Sequence, residues 1–101
     1  MKPEDREAAA RTGDTSAEAC GVRLTMAMNA AELSQKELSA QVNKGHTSIS
    51  NQQNGRQFPS RDVMMYFYKF HDIDFNFFYV GKFSHFPPEL QERLFSNTSE
   101  K

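Results

Sequence analysis

The segment that constrains the fold of this chain most strongly is residues 33–53. In "LSQKEL", Ser34 precedes Glu37 by three residues, and this capping-box spacing predicts that an α-helix begins there. We expect that helix to be short, about 35–42. The "NKG" at 43–45 should end it, because Asn and Gly accept the left-handed backbone conformation that closes a helix.

The next segment, residues 46–53, has the length of a second short helix but an unusual composition. "HTSISNQQ" holds a single large apolar residue, Ile49, among hydroxyls, amides and one histidine. Ile49 would anchor the helix, and its remaining surface would offer hydrogen-bonding groups to something outside the molecule. Two short helices joined by a turn of three or four residues form a helix-turn-helix motif.

The rest of the chain is also predicted to be helical, since apolar residues recur at helical spacing and no strand alternation or repeat is present. The chain therefore belongs to the all-α class, and we expect a compact five-helix domain followed by a short C-terminal helix. We divide it into a flexible N-terminal arm (1–16), in which Glu4–Arg11 could form a weak helix, the helix-turn-helix domain (17–82) and a C-terminal helix and tail (83–101). Outside the motif, the predicted helices span about 17–31 after a cap at Thr15 or Ser16, 60–71, a segment between Asp74 and Gly81, and a last helix that starts at Pro87 and Pro88.

Composition and charge narrow the classes of function. The single cysteine, Cys20, cannot form an internal disulfide, and the chain shows neither a signal peptide nor an apolar run that could span a membrane. We therefore expect a soluble cytoplasmic protein. The net charge is −1, but between Leu33 and Arg61 four basic residues face only one acidic residue. That region would present a mildly basic surface to a polyanion.

Catalytic and metal-binding patterns are not recognisable in the sequence. The three histidines, His46, His71 and His85, lack metal-ligand spacing, and one cysteine cannot build a zinc site. No nucleophile, base and orienting group suggest a catalytic set. We expect neither an enzyme nor a cofactor.

The chain resembles the lambda-repressor/Cro-like (XRE-type) DNA-binding domain, as found in phage CI-type repressors. The resemblance covers about Gly21 to Lys82 and lies in the spacing of "LSQKEL", "SISNQQNG", "FPS" and "DFNFFYVGK". It implies a transcriptional regulator that binds a palindromic double-stranded DNA operator as a homodimer. Its setting would be the nucleoid of a bacterial or phage-infected host cell.

The resemblance also implies roles for individual residues. Those matching the family's base-reading positions are His46, Thr47, Ser50 and Asn51. Those expected to contact phosphates are Gln35, Lys36, Lys44, Asn54, Arg56, Gln57 and Arg61. Asn can pair with adenine in the major groove, and hydroxyls act there as donors or acceptors.

Three positions depart from the family pattern. Lys44 stands where a buried aliphatic residue is usual, Gly45 removes the usual capping hydroxyl, and Gln52 replaces a large apolar residue. Gln52 would leave the recognition helix weakly anchored. These departures keep open a second hypothesis, that the motif has lost DNA binding.

The aromatic residues raise a further question, because ten of the twelve lie between Tyr66 and Phe86. We assign Phe67, Phe70, Phe77 and Phe78 to the core, and Tyr66, Tyr68 and others to a surface that meets another chain. The alternatives are a site for a regulatory protein, as in an antitoxin-like or antirepressor-regulated interaction module, or a small-molecule pocket. The expected dimer or partner interface comprises Tyr79, Phe83, Phe86, Leu90, Leu94 and Phe95.

Overall fold

The computed structural model describes residues 2–96, and this part of the chain is all-α, as predicted. None of the helices in residues 2–96 is long and apolar enough to cross a membrane. The helices are α1 (Pro3–Ala9), α2 (Ala17–Ala30), α3 (Gln35–Val42), α4 (His46–Gln53), α5 (Arg61–His71), α6 (Phe75–Val80) and α7 (Pro88–Ser96).

Side-chain caps fix where the middle helices begin. The hydroxyl of Ser16 accepts a hydrogen bond from the N–H of Ala19, and Asp74 caps α6 in the same way. Ser34 and Glu37 form the predicted capping box at the start of α3. The helix boundaries predicted from 17 to 81 are confirmed to within a residue.

Left-handed residues end three of the helices. Asn43 closes α3 with φ 58° and Gly81 closes α6 with φ 76°, both as the sequence indicated. Asp72 ends α5 in the same conformation. Residues 43–45 therefore separate α3 from α4, and the turn depends on the positive φ of Asn43, since Gly45 is extended with φ −76°.

Helix α2 is the centre of the core. It packs against α4, α6 and α7, while α3 contacts both α4 and α5. Because α2 is surrounded, most of its side chains are buried, among them Leu24, Met26 and Met28. Other large buried residues are Leu38, Ile49, Val63, Met64, Phe67, Ile73, Phe77, Phe78 and Leu94.

The N-terminal segment differs from the flexible arm expected for residues 1–16. Residues 3–9 form helix α1, and Ala10 is fully buried. The cause is Arg23, whose buried guanidinium donates hydrogen bonds to the carbonyl oxygens of Ala10, Arg11 and Asp14. The segment is therefore part of the packed domain.

Arg23 also joins this segment to the end of α6. Its Nη1 donates to the carbonyl of Phe78, in the last turn of α6, at 3.0 Å. Carbonyls at helix ends carry partial negative charge, so they compensate a buried cation for which residues 2–96 supply no ion pair. Burial lowers the pKa of Arg23 and raises the pKa of the neighbouring Cys20 thiol.

Several aromatic assignments made from the sequence were wrong. Phe70, assigned to the core, is 68% exposed. Phe83 and Phe86 are buried because the chain after Gly81 folds back, with the Phe86 ring 5.9 Å from the Phe77 ring and the Phe83 ring 4.8 Å from the Phe95 ring. The end of the predicted C-terminal tail, 97–101, lies outside the described residues.

Candidate nucleic-acid interface

Helix α4 has one buried side and one open side. Ile49 and Gln52 are fully buried and face the core. Positions 46, 47, 50 and 51 share the opposite side of the helix, with His46 and Thr47 exposed in the first turn and the other two half-buried in the second. The four residues that the resemblance assigned to base reading thus lie on one surface.

Gln52 anchors α4 firmly, contrary to the expectation of weak anchoring. Its Oε1 accepts a hydrogen bond from the N–H of Ser60 at 2.9 Å, and its Nε2 donates to the hydroxyl of Ser48 at 3.2 Å. A buried amide with partners on both ends avoids the penalty of an unsatisfied polar group. The first of these bonds also fixes α4 relative to the start of α5.

A close approach to α2 holds α4 from behind. Gly21 is buried, and a Cβ at this position would lie only 2.7 Å from the carbonyl oxygen of Gln52. The hydroxyl of Thr25, one turn further along α2, accepts a hydrogen bond from Gln53 at 3.0 Å. Backbone contact of this kind requires glycine, so α4 has little freedom to shift.

Gln35 belongs to this polar link as well. Its Nε2 donates to Oε1 of Gln53 at 2.7 Å, which connects the first turn of α3 to the last turn of α4. Gln35 is half-buried and stands beside the open N–H groups of the α3 N-terminus. Gln53 and Ser48 were not among the site residues predicted from the sequence. The i, i+4 spacing of Ser48 and Gln52 was the signal for the hydrogen bond between those two side chains.

The segment after α4 folds back onto its open side. Gly55, with φ 78°, lets the chain reverse, and the N–H of Arg56 donates to the carbonyl of Asn51 at 2.9 Å. The guanidinium of Arg56 also reaches Oδ1 of Asn51 at 3.3 Å, while Asn54 donates to the hydroxyl of Ser50 at 3.3 Å. The structure therefore brings these four predicted site residues together.

The other residues expected to contact phosphates, three cations and one amide, lie on the elements next to this surface. Lys36 and Arg61 are exposed at the starts of α3 and α5, and Gln57 is exposed in the loop. Lys44 is half-buried, and its Nζ lies 3.6 Å from a carboxylate oxygen of Asp62. That ion pair accounts for a lysine at a position where an aliphatic residue was expected.

Two features act in opposite directions on the positive potential at the N-termini of α3 and α4, the first lowering it and the second leaving it in place. Glu37 lies in the first turn of α3, and hydrogen bonds from Ser34 lower the pKa of its carboxyl, so it is ionised at neutral pH. Gly45 starts α4 without a side-chain cap, which leaves the first N–H groups of α4 without a partner on that residue. The surface is thus mostly uncharged in its centre, with cations at its edge.

Most of the predicted dimer interface is not on the surface. Phe83, Phe86, Leu90, Leu94 and Phe95 are all under 9% exposed and pack within one chain. The assignment of these five residues to an interface was wrong, because α7 packs its apolar face on α2, while Phe83 and Phe86 pack on Phe95 and Phe77. Only Tyr79 is exposed, at 44%.

Comparison with protein-family models, curated proteins and solved structures found no match to this chain. Within residues 2–96, no group of three or more His, Cys, Asp and Glu side chains lies close enough together to hold a metal ion.

Proposed function

We propose that this protein is a sequence-specific DNA-binding transcriptional regulator of the phage-repressor type, with α3 and α4 as its helix-turn-helix. The observation that carries the proposal is the division of α4. One side is fixed to the core by Ile49 and Gln52, while the other offers uncharged donors and acceptors bordered by cations. An α-helix fits the major groove of B-DNA, where base edges are read by such groups.

Under this proposal, residues at the centre and the edge have different tasks. His46, Thr47, Ser50 and Asn51 would read base edges in the major groove. The edge residues would contact phosphates and set the position of α4; they are Gln35, Lys36, Lys44, Asn54, Arg56, Gln57 and Arg61. The N-terminus of α3 adds backbone N–H groups that favour a phosphate.

The low charge of this surface has consequences for affinity. Because few cations lie on it, the protein would release few counterions and bind non-specific DNA weakly. Specific binding would then depend on direct hydrogen bonds and on two copies acting together. We expect a two-fold symmetric operator bound by a homodimer.

A second function is supported by a separate observation. Phe58, Tyr68 and Phe70 are more than half exposed, which is unusual for large apolar side chains in a small domain. Such residues also suit an interaction module that binds a regulatory protein, for example an antirepressor. In that case the open side of α4 need not meet DNA at all.

The experiment that separates the two is selection of random duplex fragments by the purified protein at near-physiological salt. Enrichment of a two-fold symmetric motif would support the operator-binding regulator. Recovery of nothing above background would count against it and favour the interaction module. A Gln35→Ala, Asn51→Ala double variant is the control, because it should lose the motif while its fold, followed by circular dichroism, is retained.

A further inference from the structure

The outer side of α5 carries apolar side chains that the rest of residues 2–96 leaves partly or largely exposed. Val63, Met64 and Phe67 turn towards the core. On the opposite side, Asp62, Met65, Tyr66 and Lys69 follow the i, i+3, i+4, i+7 spacing of a single helix stripe. We call these four residues, with Tyr68 and Phe70 beside them, the α5 face.

The borders of the α5 face are strongly exposed. Phe70 is 68% exposed and Tyr68 55% exposed, one on each side of the stripe. Met65 and Tyr66, at its centre, are half-buried. A helix side that points away from its own core is ordinarily polar, so this composition indicates a surface that meets another molecule.

The shape of the α5 face suits a copy of itself. A hollow of about 290 Å³ lies along Asp62, Met65, Tyr66, Lys69 and Phe70. A second hollow of about 350 Å³ lies on the other side, where Tyr68 and Phe75 form the walls. Met65 borders both, so the face combines a central ridge and projecting rings with hollows that can receive them.

We propose that the α5 face is the homodimer interface, with the α5 helices of two copies packed antiparallel about a two-fold axis between residues 65 and 66. The charges carry this assignment. Asp62 lies three residues before Met65, and Lys69 lies three residues after Tyr66. The axis therefore places Asp62 of each copy opposite Lys69 of the other, and this gives two equivalent ion pairs around an apolar centre.

Both charged groups are available for such pairing. The Asp62 side chain is 61% exposed although it also lies 3.6 Å from Lys44. Lys69 is exposed and forms no ion pair within residues 2–96. In the antiparallel arrangement Met65 of one copy meets Tyr66 of the other, which removes the half-buried centre of the face from water.

The inference rests on the proposed function in one respect, since a two-fold operator calls for a two-fold protein. The α5 face itself is defined by the exposure, shape and charge of its residues, whatever the protein binds. It replaces the C-terminal aromatic residues, which are buried, as the place where two copies meet.

The test is a charge swap on the full chain, followed by sedimentation equilibrium in the absence of DNA. Wild-type protein should show a concentration-dependent dimer. Asp62→Lys places like charges opposite each other twice, and should raise the dissociation constant of the dimer about tenfold. Asp62→Lys combined with Lys69→Asp restores the opposite charges and should bring the constant back to within about threefold of the wild type.

A pair of exposed phenylalanines provides the matched control. Phe70→Ser should weaken the dimer about tenfold or more, because it removes an aromatic ring from the interface. Phe58→Ser alters a residue that is 52% exposed but outside the α5 face, and should leave the dimer unchanged. A chain that stays monomeric at all concentrations, a double charge swap without recovery, or equal effects of the two Phe variants would each overturn the inference.

These outcomes are independent of the DNA experiment. A dimer that behaves as described, but selects no duplex motif, would support the α5 face and contradict the proposed function. A monomer that selects a motif would support DNA binding and contradict the α5 face as a dimer interface.

Discussion

The Nε of Arg23 donates a hydrogen bond to the carbonyl oxygen of Ala10 at 2.7 Å, and this bond joins the central helix to the N-terminal segment. The same guanidinium reaches the end of α6 through Phe78. One buried side chain therefore holds together the N-terminal segment, α2 and α6. Its five N–H donors in a planar fork suit this task, whereas a lysine has three donors at a single point.

We predict that Arg23→Met destabilises the fold by about 2–4 kcal/mol, because the carbonyls now bonded to the guanidinium would lose their partner. Arg23→Lys should recover only a small part of this loss. Denaturant unfolding measures the free energy, and Lys82→Met, at an exposed position, is the control. An Arg23→Met variant as stable as this control would contradict the role given to the guanidinium.

A second readout follows the N-terminal segment directly. In the wild type, Arg6 on α1 is bonded to Gln91 and Glu92 of α7, so both α1 and the residues after it are held. Arg23→Met should speed tryptic cleavage after Arg11 much more than it changes cleavage after the exposed Lys36. Equal acceleration at both sites would indicate global unfolding and not release of this segment.

Stability should fall as the pH drops below neutral because of His71. Burial, and then the charge of Arg93, lower the pKa of His71 below its ordinary value of 6.5. Between that lowered pKa and 6.5, the unfolded state binds more protons at this position than the folded state, so the free energy of unfolding rises with pH. Stability is therefore lost as the pH falls from about 6.5 towards the lowered pKa of His71.

Denaturant unfolding between pH 5 and 7.5 measures this dependence. His71→Gln should flatten the slope in that window, because it removes the titrating group. Tyr66→Phe, which deletes the hydroxyl 3.4 Å from the imidazole, should leave the slope in place, since the main cause is burial. The lowered pKa values of Asp14 and Glu37 affect stability only at more acidic pH, where those carboxyls become protonated.

Local signals along the chain were sufficient to predict the helices from α2 to α7, but not α1. Capping residues such as Ser16, Ser34 and Asp74 act on N–H groups three residues away, and Asn43 and Gly81 end helices by their own backbone preference. Interactions of this range are fully contained in the sequence. The open side of α4 could be predicted for the same reason, because one anchor, Ile49, sets which way the helix faces.

Interactions between distant parts of the chain were not predictable in this way. Arg23 was not singled out, since its partners are backbone carbonyls that every residue possesses; its only signal was a lone charge within the apolar stretch of α2. The aromatic residues posed a related problem. Phe70 and Phe86 have the same hydrophobicity, yet Phe70 is exposed, while Phe86 meets the core because of the path that the chain takes after Gly81.

Two glycines next to α4 provide a contrast that tests how this helix is held. Gly21→Ala should destabilise the fold by about 1–2 kcal/mol, because the added Cβ would overlap the backbone of α4 and outweigh the higher helix propensity of alanine. Gly45→Ser should stabilise it by a few tenths of a kcal/mol, since nothing lies within 4 Å and the hydroxyl can cap α4. Thermal unfolding of both variants measures the difference, and a neutral Gly21→Ala would contradict the close packing of α2 and α4.

The hydrogen bond between Arg56 and Asn51 predicts that their contributions to DNA binding are coupled. Asn51→Ala should cost about 1–3 kcal/mol on the selected operator and relax its base preference. Arg56→Ala should weaken binding to all sequences and reduce the salt dependence by about one counterion. Because Arg56 Nη1 also positions the Asn51 amide, the two losses of binding free energy should not add. The loss in the double variant should be smaller than the sum of the two single losses, by about 0.5 kcal/mol or more.

A double-mutant cycle, with DNA binding measured by fluorescence anisotropy at several salt concentrations, gives the coupling free energy between Asn51 and Arg56. The matched control is the cycle of Asn51→Ala with Lys36→Ala, since Lys36 lies on α3 and forms no hydrogen bond with Asn51 within residues 2–96. That cycle should be additive. If the Arg56 cycle is equally additive, the two side chains act separately on DNA and the hydrogen bond has no part in presenting Asn51 to a base.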